Sequence, residues 1–174
     1  MTKSNDMRTI KWIIMMGVAA TLTSCGGQGN NQKATNERPG KSQANSEVLA
    51  NYFEVKEALV KTDSKAASEA ANKLLHAIGE EGEYADKIKT NAQHIAASND
   101  IEHQRQHFSL LSEDVYQFVK STTTNGQTLY LQHCPMAMEN AGANWLSTSE
   151  EINNPYFGDK MLHCGSVKEV LRAN

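Results

Sequence analysis

The sequence lacks the short motifs that mark common catalytic machineries. Its 174 residues contain no Gly-x-Ser-x-Gly elbow, no glycine loop of the kind that cradles phosphates and no Cys-x-x-Cys redox pair. We therefore expect a protein without enzymatic activity.

A basic surface is also missing. Beyond residue 24 the chain carries 14 Lys and Arg against 19 Asp and Glu, a formal charge of −5. Because phosphate backbones are bound through positive charge, we expect no nucleic-acid partner.

The apolar run near the amino terminus is too short to span a bilayer. Residues 12–22 form a run of eleven after a basic stretch, which is the pattern of a signal peptide. The run ends in Leu22-Thr23-Ser24-Cys25, which resembles a bacterial lipobox, where cleavage precedes a cysteine that then carries lipid. An ordinary secretory signal with an accidental cysteine is the alternative. We expect residues 1–24 to be removed, and Cys25 to anchor the protein to a membrane of the cell envelope, facing the periplasm.

The composition divides the remaining chain into a tether and one domain. Residues 26–45 contain four glycines, one proline and no large apolar residue, so they cannot bury enough surface to fold. We expect residues 25–45 to be a disordered tether and residues 46–174 to form a single domain.

Four amphipathic segments with short links predict an up-and-down helical bundle. Their apolar positions follow the helical period. These positions are Val48, Tyr52, Val55 and Leu59; Ala67, Ala70, Leu74 and Ile78; Tyr84, Ile88, Ala92 and Ile95; and Ile101, Phe108, Leu111, Val115 and Phe118.

A small irregular or β segment is predicted after the bundle. Residues 127–132 alternate enough to indicate a strand, and residues 154–158 are rich in turn formers. Ser166 with Glu169 has the form of a capping box, which predicts a short closing helix over residues 167–172. The expected fold is therefore mainly α, with this segment at its carboxyl end.

Sulfur donors concentrate in residues 127–165. All three methionines beyond the signal peptide and both remaining cysteines fall there. Thiolate and thioether sulfur select soft ions such as Cu(I) and Ag(I), and alternation would place Cys134, Met136 and Met138 on one side of an extended segment. In the second segment, Met161 would share a side with His163 if extended, or with Cys164 if helical. The candidate metal ligands are Cys134, Met136, Met138, Met161, His163 and Cys164.

Two other interpretations of these sulfurs remain open. Export would permit a disulfide between Cys134 and Cys164, which the chain-entropy model values at roughly 3.5 to 4 kcal/mol. The methionines could instead fill an irregular core. Zinc is a weaker candidate, because His133 and Cys134 point opposite ways in a strand.

Histidines on the fourth helical segment offer a second, weaker signal. His103 and His107 lie four residues apart, a spacing at which two imidazoles can bind one ion. Gln104 stands where a zinc protease carries its glutamate, and the sequence reveals no third ligand. We therefore interpret the pair as surface residues, together with His76 and His94.

The chain resembles a known family in four stretches. They are Gln104-Arg105-x-x-Phe108-x-x-Leu111-Ser112, Leu129-Tyr130-Leu131-Gln132-x-Cys134-Pro135-Met136-Ala137, Trp145-Leu146-Ser147, and Ile152-x-Asn154-Pro155-Tyr156-Phe157-Gly158-x-x-Met161-x-x-Cys164-Gly165. These motifs resemble an uncharacterised bacterial domain family found as small lipoproteins and fused to periplasmic adaptor subunits of copper/silver efflux pumps.

That resemblance implies a mainly helical domain associated with heavy-metal efflux, without a defined activity. Its Cys-Pro-Met core is also similar to small metal-binding modules of those systems. Cys134, Met136, Met161 and Cys164 occupy motif positions, whereas His133, Met138 and His163 do not.

Two functions are consistent with these observations. The first is a membrane-anchored lipoprotein that binds Cu(I) or Ag(I) and passes it to an efflux adaptor or pump. The alternative is an interaction module that docks on an efflux or envelope partner, with Cys134 and Cys164 joined as a structural disulfide.

Overall fold

The computed structural model of the chain describes residues 41–79, 82–122 and 127–172. The predicted signal peptide, Cys25 and the predicted tether up to residue 40 lie outside the described residues. The elements in chain order are α1 (Lys41–Val60), α2 (Ser64–Ala77), α3 (Ala85–Ala96), α4 (Ile101–Ser121), β1 (Leu129–Cys134), β2 (Ala143–Ser147) and β3 (Ser166–Leu171). A helical turn at Ala137–Asn140 separates β1 from β2, and a short 3-10 helix, Gly158–Lys160, precedes β3.

The four helices form the predicted up-and-down bundle, in which each helix packs on the next. Most of the predicted apolar positions are buried in its core, whereas Tyr84, Ile101 and Phe118 are half-buried at its margin. Fully buried Tyr52 and Phe108 stack with ring centroids 5.4 Å apart, joining α1 to α4. The helical period of the sequence therefore identified the core of the bundle.

Aspartate side chains set the starts of two helices. The Asp63 carboxylate accepts a hydrogen bond from the Ala66 amide at 2.9 Å, as expected of an N-cap. The Asp100 carboxylate caps α4 by accepting from the amides of Glu102 and His103. An N-cap aspartate also places negative charge at the positive end of the helix dipole.

The first helix begins earlier than the sequence indicated. Residues 41–45 were predicted to belong to the tether, but α1 starts at Lys41. The prediction failed because it took the region of the first apolar position, Val48, as the start of the helix. Lysine, glutamine and alanine are good helix formers, so a helix can begin several residues before its first apolar position.

The segment after the bundle is a three-stranded antiparallel sheet in the order β2-β1-β3. In the central strand β1, Cys134 pairs with Ala143 of β2, and Gln132 pairs with Trp145. Strand β2 packs on α4 and buries Trp145 and Leu146 completely. The predicted strand at residues 127–132 is thus present, shifted by two residues to Leu129–Cys134.

The predicted closing helix at residues 167–172 is wrong, because these residues form strand β3. Two of its residues, Val167 and Val170, are β-branched, which favours an extended backbone over a helix. Pairing with β1 instead satisfies backbone hydrogen bonds of both strands. The capping-box pattern is local, and this long-range pairing overrides it.

Two buried polar side chains join the sheet region to the bundle. Arg105 of α4 donates from Nε to the Pro155 carbonyl at 2.9 Å and from Nη2 to the Leu59 carbonyl at 3.3 Å. The Tyr52 hydroxyl accepts from the Leu146 amide at 3.0 Å. Burial raises the pKa of Tyr52, so its hydroxyl remains neutral in this contact. These bonds fix β2 and the loop that carries Cys164 against the helices.

Among the described residues, no helix has both the length and the apolar character needed to cross a membrane.

Candidate metal-binding sites

Two of the predicted sulfur donors meet at the end of the central strand. Cys134 is the last residue of β1, and Cys164 lies just before β3, thirty residues later. Their Sγ atoms are 3.3 Å apart, and both thiols are free. Cys134 is buried, whereas Cys164 is half-buried. The pair therefore has one sulfur inside the fold and one near its surface.

Asn154 holds the loop that carries Cys164. Its side chain is fully buried and donates from Nδ2 to the Cys164 carbonyl at 2.7 Å. Its Oδ1 accepts from the Tyr156 amide at 2.8 Å, and its backbone amide donates to the Leu162 carbonyl at 2.8 Å. A single asparagine thus ties both ends of this loop together and sets the position of Cys164.

Gly165 allows the loop to pass close to β1. Its φ of +148° is a conformation that other residues rarely adopt. A Cβ atom here would lie 2.8 Å from the His133 carbonyl oxygen and 2.9 Å from the Trp145 ring. Only glycine fits in this position, which brings Cys164 within reach of Cys134.

The surroundings of the thiols are apolar and aromatic. Trp145 and Tyr156 are both buried and meet edge to face with centroids 5.9 Å apart. The hydrogen bond between Cys164 and Cys134, together with desolvation, raises the pKa of the Cys164 thiol. The Cys164 thiol is therefore protonated at neutral pH, and an ion that binds it must displace that proton.

The methionines are not arranged as the sequence suggested. The chain turns immediately after Cys134, so Cys134, Met136 and Met138 do not share one side of an extended segment. Met136 is 48% exposed, whereas Met138 has a positive φ of 52° and packs against the hydrophobic core. The extended prediction failed because β1 ends at Cys134.

Met161 is the methionine with a direct backbone link to the thiol pair. Its carbonyl accepts from the Cys164 amide at 3.1 Å, so the two residues belong to one turn. The segment is thus neither extended nor helical as predicted: it is a turn, in which Met161 has a φ of −149° and a ψ of 58°. Its side chain is half-buried, unlike that of Met136.

The histidines beside the two cysteines make other contacts. His163 is exposed and donates from Nδ1 to the Ile152 carbonyl at 2.8 Å. His133 donates from Nδ1 to the Asn144 side-chain oxygen at 2.9 Å. Within residues 41–79, 82–122 and 127–172, neither of them joins the thiols in a group of three close donors.

A second donor cluster lies on the bundle. His94 of α3 and His103 and His107 of α4 each place one potential ligand atom within 4.8 Å of the others. His94 stacks on His107 with centroids 4.1 Å apart, and the His103 and His107 rings are 4.6 Å apart. His94 is exposed, and the other two are half-buried.

The sequence interpretation did not connect His94 to the pair His103 and His107, although His94 is the third member of the cluster. Helices α3 and α4 pack together and are joined by only four residues, 97–100. In such a hairpin, residues at equal distances from the link face each other, and His94 and His103 are equally far from its centre. That symmetry is the signal that could have identified the cluster.

A hydrogen-bond chain orients His107. The Asp114 carboxylate accepts from Asn91 Nδ2 at 3.0 Å, so the Asn91 side-chain oxygen faces His107 Nδ1 at 3.2 Å. That oxygen can only accept, so Nδ1 carries the proton and Nε2 keeps its lone pair in the neutral ring. Burial, together with His94 and His103, lowers the pKa of His107 and favours this neutral form.

Residues 48–127 match the model of a family described as a protein of unknown function, DUF3347. This stretch is therefore a domain of unknown function, as the resemblance implied. It spans most of the helical bundle and includes the three histidines, whereas both cysteines lie beyond it. Searches of curated proteins and of solved structures give no match to this chain.

Proposed function

We propose that the protein binds Cu(I) or Ag(I) through Cys134 and Cys164 and carries or buffers the ion in the cell envelope. The observation that supports this proposal is the pair of free thiols with Sγ atoms 3.3 Å apart. Thiolate sulfur selects soft ions over harder ones. The proposed role is transfer of the ion, without catalysis.

The spacing of the sulfurs fits a shared ion after a small movement. Thiolate–metal bonds of about 2.3 Å place two sulfurs on one ion about 3.8 to 4.6 Å apart. The pair must therefore open by about an ångström. Cys164 lies on a loop and is half-buried, so it can move outward while Cys134 stays fixed in β1.

The donor set favours a soft monovalent ion over zinc. Structural zinc sites take four ligands, usually from cysteine and histidine. In the part of the chain that the structure describes, no histidine or carboxylate completes such a set around the thiols. Met161, in the same turn as Cys164, is the thioether that we propose as an additional ligand. We assign weaker roles to Met136, which is exposed, and to Met138, which packs on the core.

The place of this activity follows from the amino-terminal sequence. Residues 12–25 have the pattern of a lipoprotein signal with lipid on Cys25. We propose that this lipid anchors the protein to a membrane and that residues up to 40 tether the domain. A tethered carrier can reach an efflux adaptor or pump by local diffusion, which raises its effective concentration near that partner.

A second function uses the same two cysteines differently. The loop held by Asn154 and Arg105 covers one part of the bundle, and a bond between Cys134 and Cys164 would brace it further. In this alternative the protein docks on an efflux or envelope partner without metal. The oxidation state of these cysteines in the native protein separates the two functions.

Anaerobic Cu(I) titration of the reduced full chain against a competing chelator tests the proposal. We expect one tight equivalent, lost in Cys134→Ser and in Cys164→Ser and weakened in Met161→Leu. Cys25→Ser replaces the cysteine outside the pair; it is the control and should keep the equivalent. Undiminished binding in both variants of the pair would reject these ligands. A bridge between Cys134 and Cys164 in envelope-isolated protein, stable to mild reductant, would favour the structural alternative.

A further inference from the structure

The histidine cluster has the donor chemistry of a site for a borderline divalent cation. Its three side chains offer only imidazole nitrogen, which suits Zn²⁺ and Cu²⁺ and differs from the sulfur of the thiol pair. Three histidines with an open fourth position form a known arrangement for zinc that also holds water. The cluster is exposed at His94, so an ion and a water molecule can reach it from solvent.

The backbone supplies the three imidazoles without any rearrangement of the helices. His103 and His107 are four residues apart on one face of α4, and His94 is in the last turn of the adjacent α3. Two nitrogens on one tetrahedral zinc ion lie about 3.3 Å apart, because each Zn–N bond is about 2.0 Å. The donor atoms now lie within 4.8 Å of one another, so binding of an ion requires rotation of the stacked His94 and His107 rings and an approach of up to about 1.5 Å.

One ligand is already oriented for binding. Asn91 fixes the Nδ1 proton of His107, and Asp114 fixes the Asn91 amide. Ligating histidines in proteins commonly donate their second N–H to such a partner, which sets the ring orientation and raises ligand basicity. A surface histidine without a role would not require a half-buried carboxylate and a buried asparagine behind it.

We infer that His94, His103 and His107 form a binding site for one divalent ion of the zinc or copper(II) class. The inference does not rest on the proposed function, because the two sites share no residue. Asn91 is a positioning residue that acts through His107. Two charged residues contact Asn91. The Lys87 backbone carbonyl accepts from Asn91 Nδ2 at 3.2 Å, and the Asp114 carboxylate accepts from the same nitrogen at 3.0 Å.

Titration of the metal-free full chain with Zn²⁺ alone tests the site. We expect one equivalent of zinc, with an affinity that falls roughly 100-fold in each of His94→Ala, His103→Ala and His107→Ala. Removing a residue that only hydrogen-bonds to a metal ligand already lowers affinity by about 10- to 100-fold, so the loss of a ligand should reach the upper end of that range. His76→Ala is the matched control, since His76 is exposed near the end of α2 and lies outside the cluster. It should bind zinc as the unaltered chain does.

The cysteines must be excluded as the zinc ligands. The Cys134→Ser/Cys164→Ser double variant should keep the zinc equivalent, whereas loss confined to that variant would overturn the inference. Should the double variant not fold, Cu²⁺ is added instead to the chain whose two thiols have first been oxidised to a disulfide, so that they cannot reduce the ion, and electron paramagnetic resonance gives an independent measurement. Superhyperfine coupling to several nitrogens that disappears in His107→Ala supports the site. Unchanged spectra, or zinc binding that is unaffected in all three histidine variants, would refute it.

Discussion

The thiol pair lies where a strand meets an irregular loop, whereas the histidine cluster sits on two regular helices. Cys134 and Cys164 are thirty residues apart and meet only because Asn154 and Gly165 shape the loop between them. The histidines need no such device, since the hairpin of α3 and α4 already places them together. The first site therefore depends on the fold of its loop, and the second depends mainly on side-chain rotation.

The two clusters also differ in chemistry and exposure. One offers sulfur with a buried member and aromatic surroundings, and the other offers nitrogen beside solvent. If both proposals hold, donor softness separates the ions, with Cu(I) or Ag(I) at the thiols and Zn²⁺ or Cu²⁺ at the histidines. One small domain with both sites would distinguish two oxidation states of copper.

Oxidation of Cys134 and Cys164 should produce the largest difference between the two sites. A mild disulfide-forming oxidant converts two thiols to one disulfide, with loss of two protons and two electrons. We expect the oxidised chain to lose its Cu(I) equivalent entirely while its zinc affinity stays unchanged. Closing this loop should also raise the free energy of unfolding by roughly 3.5 kcal/mol. Denaturant unfolding and parallel metal titrations measure both effects, and Cu(I) binding retained after complete oxidation would contradict the assignment of the thiols.

Removing the support of the loop should affect one cluster only. Asn154→Ala deletes two buried hydrogen bonds, so we expect it to lower the free energy of unfolding by about 2 to 3 kcal/mol. Cu(I) affinity should fall as Cys164 loses its position, whereas zinc affinity should not change. The neighbouring Asn153→Ala is the control. An equal fall in both metal affinities would show that the sites are coupled through overall stability.

The sequence predicted the helical part of the fold well because its information is local. The period of apolar residues placed Val55, Leu74 and Phe108 in the core, and each is fully buried. It failed at residues 167–172, where pairing with β1 decides the structure and no local pattern reports the partner.

The candidate sites were predictable to different extents. Clustering of sulfur in the sequence drew attention to Cys134 and Cys164, but their 3.3 Å contact depends on Gly165 and Asn154, whose roles appear only in three dimensions. The extended arrangement of Met136 was wrong because the strand ends two residues earlier. His94 was overlooked because its neighbours belong to the next helix.

Removing the hydrogen-bond support of the histidine cluster should lower zinc affinity and leave Cu(I) affinity unchanged, the opposite of the effect of Asn154→Ala. Asn91→Ala removes the acceptor of the His107 proton, so we expect zinc affinity to fall about 10-fold, or about 1.4 kcal/mol. Cu(I) affinity should be unchanged. Calorimetry with each metal measures the difference, and Asn72→Ala on α2 is the control, since its exposed side chain bonds only within its own helix. Undiminished zinc affinity in Asn91→Ala would mean that the hydrogen-bond chain does not orient the ligand.

The contact between β3 and α4 should influence the binding of neither metal. A variant of this contact therefore tests whether both metal sites are independent of the outer strand of the sheet. The Tyr116 hydroxyl donates to a Glu169 carboxylate oxygen at 2.6 Å near the surface. Glu169→Gln replaces a charged acceptor by a neutral one, so we expect a loss of roughly 0.5 kcal/mol in unfolding free energy, a small value because the contact is only part-buried. Both metal affinities should stay within error of the unaltered chain. A clear fall in Cu(I) affinity would show that β3, which follows Cys164 directly, transmits strain to the thiol pair, and the first site would then extend along the whole sheet.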